Sequence, residues 1–308
     1  MPAAALKRVE VTPPAADDPV ELQSIALDED MTLTICATGT GGGAAQVRAS
    51  VPLQNRLTKI SALGRGAMGE VWLARDIGLC RRVAYKHLLP QHADNPALAA
   101  RFFEEVQVTA QLDHPNILPI YNLESTPEGA PAYSMKLVQG KTLSALIKEA
   151  RASIGAKGAD HRAIVATHLD IFLRICDGMA YAHSKGVLHR DLKPDNVMVG
   201  RYSEVYIMDW GICRVMGSGG TDEARQHDPD HTVAIEASDA AGQRTQFGAV
   251  LGTPSYMSPE QALGQNAALD GRSDLFTLGL ILQELITLER ARRAQSYDDM
   301  MRMAARGD

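Results

Sequence analysis

Groups that could carry out chemistry are concentrated in one short segment, VLHRDLKPDNVMVG, at residues 187–200. It combines a carboxylate at Asp191, an ammonium group at Lys193 and a carboxamide at Asn196, although a solvated turn needs only one Asp or Asn and a Gly. A second acid, Asp209, follows the apolar run VYIM thirteen residues after Asn196. Asn196 and Asp209 carry oxygen ligands that suit Mg²⁺, which leaves Asp191 to orient a hydroxyl and accept its proton.

Three glycines lie between two predicted strands, in LGRGAMGEVWLA at residues 63–74. Without Cβ atoms, the backbone at Gly64, Gly66 and Gly69 can approach a phosphate and offer N–H donors. A flexible hairpin explains the same glycines, and a lone GxGxxG pattern does not separate the two interpretations. No helix follows at once, which argues against the dinucleotide-binding version of the motif.

Lys86 closes the apolar strand VAYK, seventeen residues after Gly69. A surface lysine is the commoner interpretation, whereas a lysine that faces a cleft needs a counter-charge. The next helix offers Glu104 and Glu105, and its apolar stripe is formed by Leu98, Phe102, Val106 and Ala110. Glu105 falls within that stripe and Glu104 points roughly the opposite way, so Glu105 is the predicted partner of Lys86.

Composition narrows the class of protein. The 308 residues carry a formal charge of −6 with 45% apolar residues, which is typical of a soluble globular protein and provides no basic surplus for nucleic-acid binding. Four widely spaced cysteines fit neither a metal site nor a disulfide framework and indicate a cytoplasmic protein. We expect no signal peptide and no membrane segment, because the best apolar run, at 275–288, is short and contains Gln283 and Glu284.

The pattern of elements divides the chain into a tail and two lobes. Residues 1–54 are rich in Pro, Ala and Gly and predict a flexible tail, with one weak strand candidate, MTLTICA. Residues 55–138 contain strand-like runs and one helix, whereas residues 139–308 are mainly helical. The sequence predicts an α+β, bilobal fold with a small antiparallel β-rich N-lobe, a larger helical C-lobe and a cleft between them.

Seven motifs occur in order between residues 55 and 300: GRGAMGEV, VAYK, a helix glutamate, HRDLKPDN, DWG, GTPSYMSPE and SDLFTLG. Each is weak alone, but the ordered set resembles the eukaryotic-type protein kinases, in the style of the bacterial serine/threonine kinases. The resemblance implies a bilobal protein-kinase fold and transfer of the γ-phosphate of ATP to a Ser or Thr hydroxyl of a protein substrate. It also implies Mg²⁺ as the metal, with Mn²⁺ as an alternative.

The resemblance implies a role for each matched position. Asp191 would be the catalytic base, and Lys193 would contact the γ-phosphate. Lys86, paired with Glu105, would hold the α- and β-phosphates. The metal ligands would be Asn196 and Asp209. The residues that would surround the nucleotide are Leu63, Gly64, Gly66, Gly69, Val71, Met135 as gatekeeper, and the hinge residues Lys136 and Val138.

Substrate class and regulation are implied in the same way. Lys193 and the GTPSYMSPE segment resemble the serine/threonine branch, and Thr253 would position the acceptor hydroxyl. Arg190 and Arg214 would clamp a phosphothreonine in the activation segment. The phosphosite candidates are Thr245, then the weaker Thr232 and Thr221. Autophosphorylation between self-associated copies is therefore expected.

Two features depart from the family pattern near the site. Trp210 replaces the usual phenylalanine after Asp209, and Tyr85 precedes Lys86. The segment from Asp209 to Glu260 is longer than usual, and the composition of its extra part, residues 217–244, predicts disorder. The HDPDH within it is typical of a solvated loop, with a metal clip as the less favoured interpretation.

The C-terminal region is the larger departure. The run at 275–288 is apolar on nearly all sides and predicts a helix buried centrally in the C-lobe. The resemblance implies that this is the family's central helix and that Asp274 braces the catalytic loop. The C-terminal helices that should wrap it, and an arginine to pair with Glu260, are not recognised in the sequence. We therefore expect a fragment of a longer protein, or a partner that covers the helix. A kinase-like scaffold, or pseudokinase, that binds nucleotide or a partner without phosphotransfer remains the alternative function, and a small-molecule kinase is a third.

Overall fold

The structure, a computed structural model, describes residues 56–66, 68–93, 95–126, 128–154, 160–215, 233 and 252–308. The predicted tail at 1–54, with its strand candidate MTLTICA, lies outside them. The described chain forms an N-lobe built on one antiparallel sheet and a larger, mainly helical C-lobe. The α+β bilobal fold predicted from the sequence is confirmed.

Five antiparallel strands make the N-lobe sheet: β1 (Leu57–Arg65), β2 (Gly69–Asp76), β3 (Arg81–Leu88), β4 (Ile120–Ser125) and β5 (Pro131–Lys136). They lie in the order β1-β2-β3-β5-β4. Each coincides within a few residues with a run predicted from its apolar and β-branched content. The register places Lys86 opposite Val71 on one side and opposite Tyr133 on the other, so Lys86 lies inside the sheet rather than at its edge.

Two helices follow β3: α1 (Pro90–Ala93) and α2 (Pro96–Gln111). Helix α2 begins where the Asn95 side chain accepts two backbone N–H groups at 3.1 and 3.3 Å. Phe102 and Val106 pack against Leu88 of the sheet. Ala110, which the predicted stripe includes, is exposed, and Thr109 is buried instead. The buried face of α2 therefore fixes which of its carboxylates points at the sheet.

The C-lobe consists of helices joined by short strands: β6 (Gly140–Thr142), α3 (Leu143–Ile154), α4 (His161–Ser184), β7 (Val187–Leu188), β8 (Val197–Gly200), β9 (Val205–Ile207), β10 (Arg214–Val215), α5 (Pro259–Ala262), α6 (Gly271–Thr287) and α7 (Tyr297–Arg306). Strands β6, β8 and β9 form a small antiparallel sheet, and β7 pairs with β10. Strands β7 and β8 flank residues 189–196. The charged segment of the sequence is therefore a loop held at both ends by strand pairing.

Helices α4 and α6 form the centre of the C-lobe and share one apolar core. Ile175 of α4 and Ile281 of α6 are fully buried in it, and Trp210 also belongs to this cluster. The imidazole of His168 in α4 lies 3.0 Å from the backbone oxygen of Leu285 in α6. Because α6 is fixed in this way, its first turn gives Asp274 a rigid position beneath the loop at 189–196.

Only part of the surface of α6 is buried. Leu285 is fully buried, whereas Leu275 and Ile286 are 58% and 41% exposed. The sequence analysis expects apolar surface on this helix that the recognised helices do not cover, and Leu275 and Ile286 form such a surface among the described residues. Among the described elements, α6 contacts α4 most extensively and also contacts α5.

The apolar pattern does not predict helix α7, which is short and strongly charged. Its start is fixed by Ser296, whose hydroxyl accepts the Asp299 N–H at 3.1 Å. Ala304 is fully buried against Met257 and Ala262. Helix α7 therefore covers α5 and the segment that leads into it. No described helix has both the length and the apolar content that a membrane span requires.

Candidate active site

Asp191, Lys193 and Thr253 meet in a closed set of hydrogen bonds. Lys193 Nζ donates to Asp191 Oδ2 at 2.7 Å and to Thr253 Oγ1 at 2.8 Å, and Thr253 Oγ1 donates to Asp191 Oδ1 at 2.7 Å. Gly252 allows the approach, because its φ is 117° and an added Cβ would lie 3.0 Å from the Arg190 backbone oxygen. The set therefore combines a proton acceptor, a cation and a hydroxyl at one point.

A buried carboxylate at Asp274 fixes the loop that carries Asp191. Its oxygens accept the backbone N–H groups of His189 and Arg190 at 2.9 and 3.0 Å, and His183 Nε2 lies at 2.8 Å. Burial alone would raise the pKa of Asp274, but the contact with His183 and the two backbone N–H groups outweigh it, so the pKa lies below its usual value. Asp274 is therefore held as a carboxylate that ties α6 to the loop.

His189 is fully buried and acts inside the loop rather than in the cleft. Its Nδ1 accepts the Asp191 N–H at 3.3 Å, so Nε2 carries the proton and donates to the Met208 backbone oxygen at 3.2 Å. The ring also contacts Trp210, with the centroids 4.6 Å apart. The indole nitrogen of Trp210 is buried and has no hydrogen-bond partner among the described residues, a cost that a phenylalanine would avoid.

Lys86 and Glu105 form the ion pair that helical periodicity predicts. Lys86 Nζ lies 2.6 Å from Glu105 Oε1, which also accepts the Tyr133 hydroxyl at 2.7 Å. Glu104 is not buried to the same extent. Burial alone would lower the pKa of Lys86, but the negative charges of Glu105 and Asp209 and the neighbouring Tyr133 outweigh it, and the pKa is raised. Lys86 therefore stays charged at the cleft.

Asn196 and Asp209 provide the oxygen atoms that a metal would need. Asn196 Nδ2 donates to the Asp191 backbone oxygen at 2.9 Å, which directs the other amide atom, an oxygen, away from the loop. No described residue donates a hydrogen bond to that oxygen or to the Asp209 carboxylate, and Asp209 is exposed. This small set of hard oxygen donors fits Mg²⁺, which takes few protein ligands together with substrate phosphates.

The backbone at two site residues is left-handed although neither is glycine. The φ angles are 68° at Arg190 and 65° at Asp209. Such conformations cost energy and persist only where the surroundings enforce them, as they often do at functional sites. Near Asp209 the two lobes come close together at Gly211. A Cβ added to Gly211 would lie 3.4 Å from Asp209 Oδ1 and 3.3 Å from Glu105 Oε2 of the N-lobe.

The glycine-rich turn lies between β1 and β2, as predicted. The N–H of Gly66 donates to the Gly69 backbone oxygen at 2.9 Å, which closes the turn. Gly64 and Gly66 are exposed, and an added Cβ would meet no atom within 4 Å at Gly64. At Gly69 it would lie 2.7 Å from the His87 backbone oxygen. Leu63 at the rim of the turn is 51% exposed, and Val71 pairs with Lys86 across the sheet.

The predicted hinge begins at the end of β5. Met135 packs partly against the core of the N-lobe, and Val138 is half-buried between the lobes. The side chain of Lys136 instead donates to the hydroxyl of Tyr206 in β9 and lies over its ring, 4.7 Å from the centroid. The side chain of Lys136 therefore joins the predicted hinge to the C-lobe, and the role of this residue at a nucleotide stays a prediction.

The regulatory predictions lie only partly within the described chain. Arg190 is buried and donates to Asn266 Oδ1 at 2.7 Å, and its backbone oxygen accepts from Gln261 Nε2 at 2.6 Å. Arg214 contributes its backbone to β10, opposite Leu188. The HDPDH segment lies outside the described residues. So do the three phosphosite candidates, Thr221, Thr232 and Thr245.

Several residues that organise the site were not predicted. Tyr133, His183 and Tyr206 are polar groups within otherwise apolar elements, and that placement is the one signal the sequence offers for them. Glu260, for which an arginine partner is expected, accepts the Ser273 hydroxyl instead. No arginine among the described residues forms an ion pair with Glu260. Arg292 is buried and donates to the Met257 backbone oxygen at 2.6 Å.

Comparison with known proteins agrees with this arrangement. The family model described as "Protein kinase domain" matches residues 57–307. The chain is 36% identical over 259 residues to "Serine/threonine-protein kinase PknD" of Protochlamydia amoebophila (strain UWE25). The aligned region covers 83% of this chain and 26% of that protein. The chain is 39% identical over 241 residues to the protein of the same name from Chlamydia muridarum (strain MoPn / Nigg), covering 76% of this chain and 25% of that protein.

The chain thus spans about a quarter of the length of these two curated relatives. The matched region includes both lobes and every described residue of the candidate site. Members of the matched family use ATP and a divalent metal in general, and they act on protein substrates. This chain belongs to the protein kinase family.

Proposed function

We propose that this chain is the catalytic domain of an ATP-dependent serine/threonine protein kinase, which transfers the γ-phosphate of ATP to a Ser or Thr hydroxyl. The observation that carries the proposal is the hydrogen-bonded set of Asp191, Lys193 and Thr253 in the C-lobe, together with the Lys86–Glu105 ion pair of the N-lobe. Phosphoryl transfer needs mainly positioning and neutralisation of phosphate charge, and these groups supply both.

Each side chain has a step that its contacts favour. Asp191 orients the acceptor hydroxyl and accepts its proton, while Thr253 holds that hydroxyl beside the carboxylate. Lys193 neutralises charge on the γ-phosphate as it is transferred. Lys86 binds the α- and β-phosphates, with its position set by Glu105.

The nucleotide would lie between the glycine-rich turn and the hinge. Gly64, Gly66 and Gly69 cover the phosphates, and the backbone of Lys136 to Val138 contacts the adenine. Asn196 and Asp209 hold Mg²⁺, for which Mn²⁺ could substitute because both accept oxygen ligands. The Asn196 amide oxygen and the Asp209 carboxylate would hold the metal, which would supply positive charge next to the phosphates.

Regulation by autophosphorylation follows from the same assignment. Thr245 is the first candidate for the modified residue and Thr232 the second, with Arg190 and Arg214 as partners for the phosphate. Transfer between two copies would require transient self-association. The cytoplasmic location predicted from cysteine usage stays a prediction.

The test is transfer of labelled γ-phosphate from Mg-ATP to the chain itself and to a generic basic protein. Asp191→Asn should abolish transfer but retain ATP binding, because it removes the proton acceptor and leaves the nucleotide contacts intact. Asp177→Asn, which changes an exposed aspartate of α4, serves as the matched control and should transfer like the wild type. Binding of ATP without transfer by the wild-type chain would instead support the scaffold alternative.

A further inference from the structure

A groove of about 370 Å³ lies on the outer side of helix α7, where it faces the segment that joins α6 to α7. Arg302 and Arg306 line it from the helix, Arg293 lines it from the joining segment, and Asp299 is the acid in its wall. We call this feature the arginine groove. It is separate from the cleft that holds Asp191, and none of its arginines takes part in the hydrogen bonds of the candidate active site.

Helix α7 presents two opposite faces. Ala304, with Met301 and Ala305 beside it, packs on Met257 and Ala262. Asp299, Arg302 and Arg306 recur at intervals of three and four residues, so they share the opposite face. The packed face holds the helix in place, and Arg302 and Arg306 on the groove face are exposed among the described residues.

The other wall of the groove is fixed by Arg292, next to Arg293. The side chain of Arg292 is 1% exposed and donates to the backbone oxygens of Met257 and Asp308, both at 2.6 Å. Its guanidinium also lies 5.2 Å from the centroid of the Phe276 ring. The segment that joins α6 to α7 is therefore held both to Met257, which precedes α5, and to Asp308, which follows α7. Both walls of the groove are fixed in this way.

The charge of the groove is positive although the whole chain carries −6. Arg302 pairs with Asp299, and Arg293 pairs with the exposed Glu289 at 3.3 Å. Arg306 forms no ion pair with any described residue. The helix dipole favours a positive charge in the last turn of a helix and so explains Arg306 alone. It does not explain why three arginines from two different segments surround one groove. Guanidinium groups in this arrangement suit carboxylates and phosphates, which they bind through paired N–H groups.

The groove is connected to the place where an acceptor hydroxyl would lie. The segment Thr253–Met257 begins at the threonine bonded to Asp191 and ends at the residue that anchors Arg292. We propose that the arginine groove is a docking site for an acidic segment of the protein substrate, apart from the residue that is phosphorylated. The proposal rests on the proposed function, because it names a substrate for that site.

Direct binding tests the groove without phosphotransfer. The probe is a fluorescein-labelled peptide rich in Asp and Glu that lacks Ser, Thr and Tyr, compared with a counterpart in which Asn and Gln replace the acids. Fluorescence anisotropy on the full chain should show tighter binding of the acidic peptide, weakening as salt is added. The double variant Arg302→Glu/Arg306→Glu should weaken this binding about tenfold or more.

The control variant is Arg162→Glu, which reverses an exposed arginine at the start of α4, outside the groove. It should change binding less than about twofold. Arg302→Lys/Arg306→Lys should retain part of the affinity, because charge remains while the paired N–H geometry is lost. Circular dichroism of each variant verifies that the fold is intact.

Steady-state kinetics then link docking to catalysis. With a substrate peptide that carries an acidic extension, the double glutamate variant should raise KM and leave kcat near the wild-type value. Equal binding of the acidic and neutral peptides by the wild type, or unchanged binding by the double variant, would overturn the proposal. So would preferential binding of an oligonucleotide or a phosphatidylserine vesicle through these arginines. Failure of phosphotransfer with peptide binding retained would count against the proposed function and not against the groove.

Discussion

Lys86 belongs to the N-lobe and Asp191 to the C-lobe, and the backbone around each is fixed differently. Lys86 lies within β3, where strand pairing on both sides sets its position, and Glu105 projects from the buried face of a regular helix. Asp191 lies on an irregular loop, and its position depends on Asp274, which accepts two consecutive backbone N–H groups of that loop.

This difference shows two ways of fixing the position of a proposed catalytic group. In a strand or a helix, many backbone hydrogen bonds together fix the backbone. Removal of one side chain therefore leaves the backbone in place. An irregular loop has few such bonds, and a single buried carboxylate then carries most of the constraint. We therefore expect the C-lobe half of the site to be more sensitive to one substitution than the N-lobe half.

The largest effect is expected for Asp274→Asn. The substitution removes a buried carboxylate and leaves backbone donors poorly matched, so the free energy of unfolding should fall by roughly 3–5 kcal/mol. Displacement of Asp191 should lower phosphotransfer on the order of 100-fold. Urea denaturation and the labelled-phosphate assay measure the two effects. The control is Asp270→Asn at the start of the same helix, because asparagine also caps helices. Wild-type behaviour of Asp274→Asn would show that other contacts hold the loop.

The same variant has a defined pH dependence. Because the folded-state pKa of Asp274 is depressed below 3.8, its carboxylate stabilises the fold fully above the unfolded-state pKa. That contribution is lost as the pH falls through the folded-state pKa. The stability difference between wild type and Asp274→Asn should therefore be constant above about pH 5 and shrink below about pH 4. A difference that stays constant into the acid range would contradict this role.

A smaller effect is expected for Glu105→Gln in the N-lobe. Lys86 loses its counter-charge but stays within the strand, so the free energy of unfolding should fall by about 1–3 kcal/mol. The value of kcat/KM for ATP should fall on the order of tenfold to 100-fold, because Lys86 is no longer directed at the phosphates. Glu104→Gln changes the adjacent, less buried carboxylate and should have the smaller effect in both measurements. Equal effects of the two substitutions would contradict the assignment of Glu105.

The glycine-rich turn offers a matched pair of alanine substitutions. At Gly69 the new methyl group would lie 2.7 Å from the His87 backbone oxygen, so Gly69→Ala should cost about 1–3 kcal/mol of unfolding free energy. Gly64→Ala meets open space and should unfold like the wild type. Thermal denaturation measures this contrast. The ATP dissociation constant of Gly64→Ala then tests whether a phosphate needs a bare backbone there, since an unchanged constant would place the phosphates elsewhere.

The smallest effect is expected for Tyr206→Phe, which removes the hydroxyl that Lys136 contacts but keeps the ring beneath the ammonium group. The free energy of unfolding should fall by about 0.5–1.5 kcal/mol. Because the bond joins the hinge to the C-lobe, KM for ATP should rise by less than about threefold while kcat stays close to wild type. Chemical denaturation and initial-rate kinetics measure both. A loss of kcat larger than that of Glu105→Gln would mean that the hinge contact affects catalysis directly.

The sequence by itself determined the features that depend on short-range periodicity. Helical spacing separated Glu105 from Glu104, because residues one position apart point in directions about 100° apart and only one can face the sheet. Apolar runs and turn residues placed the N-lobe strands, and the sequence predicted a candidate site at Asp191, Lys193, Asn196 and Asp209.

Only the tertiary structure decided which distant groups meet. Thr253 joins Asp191 across 62 positions of sequence, and Tyr133 joins Glu105 across 28. The side chain of Lys136 turns to Tyr206, and Arg292 is buried although arginines are usually exposed. Local patterns specify a face or a turn, whereas these contacts depend on how whole elements pack, and packing is a property of the assembled core rather than of any one segment.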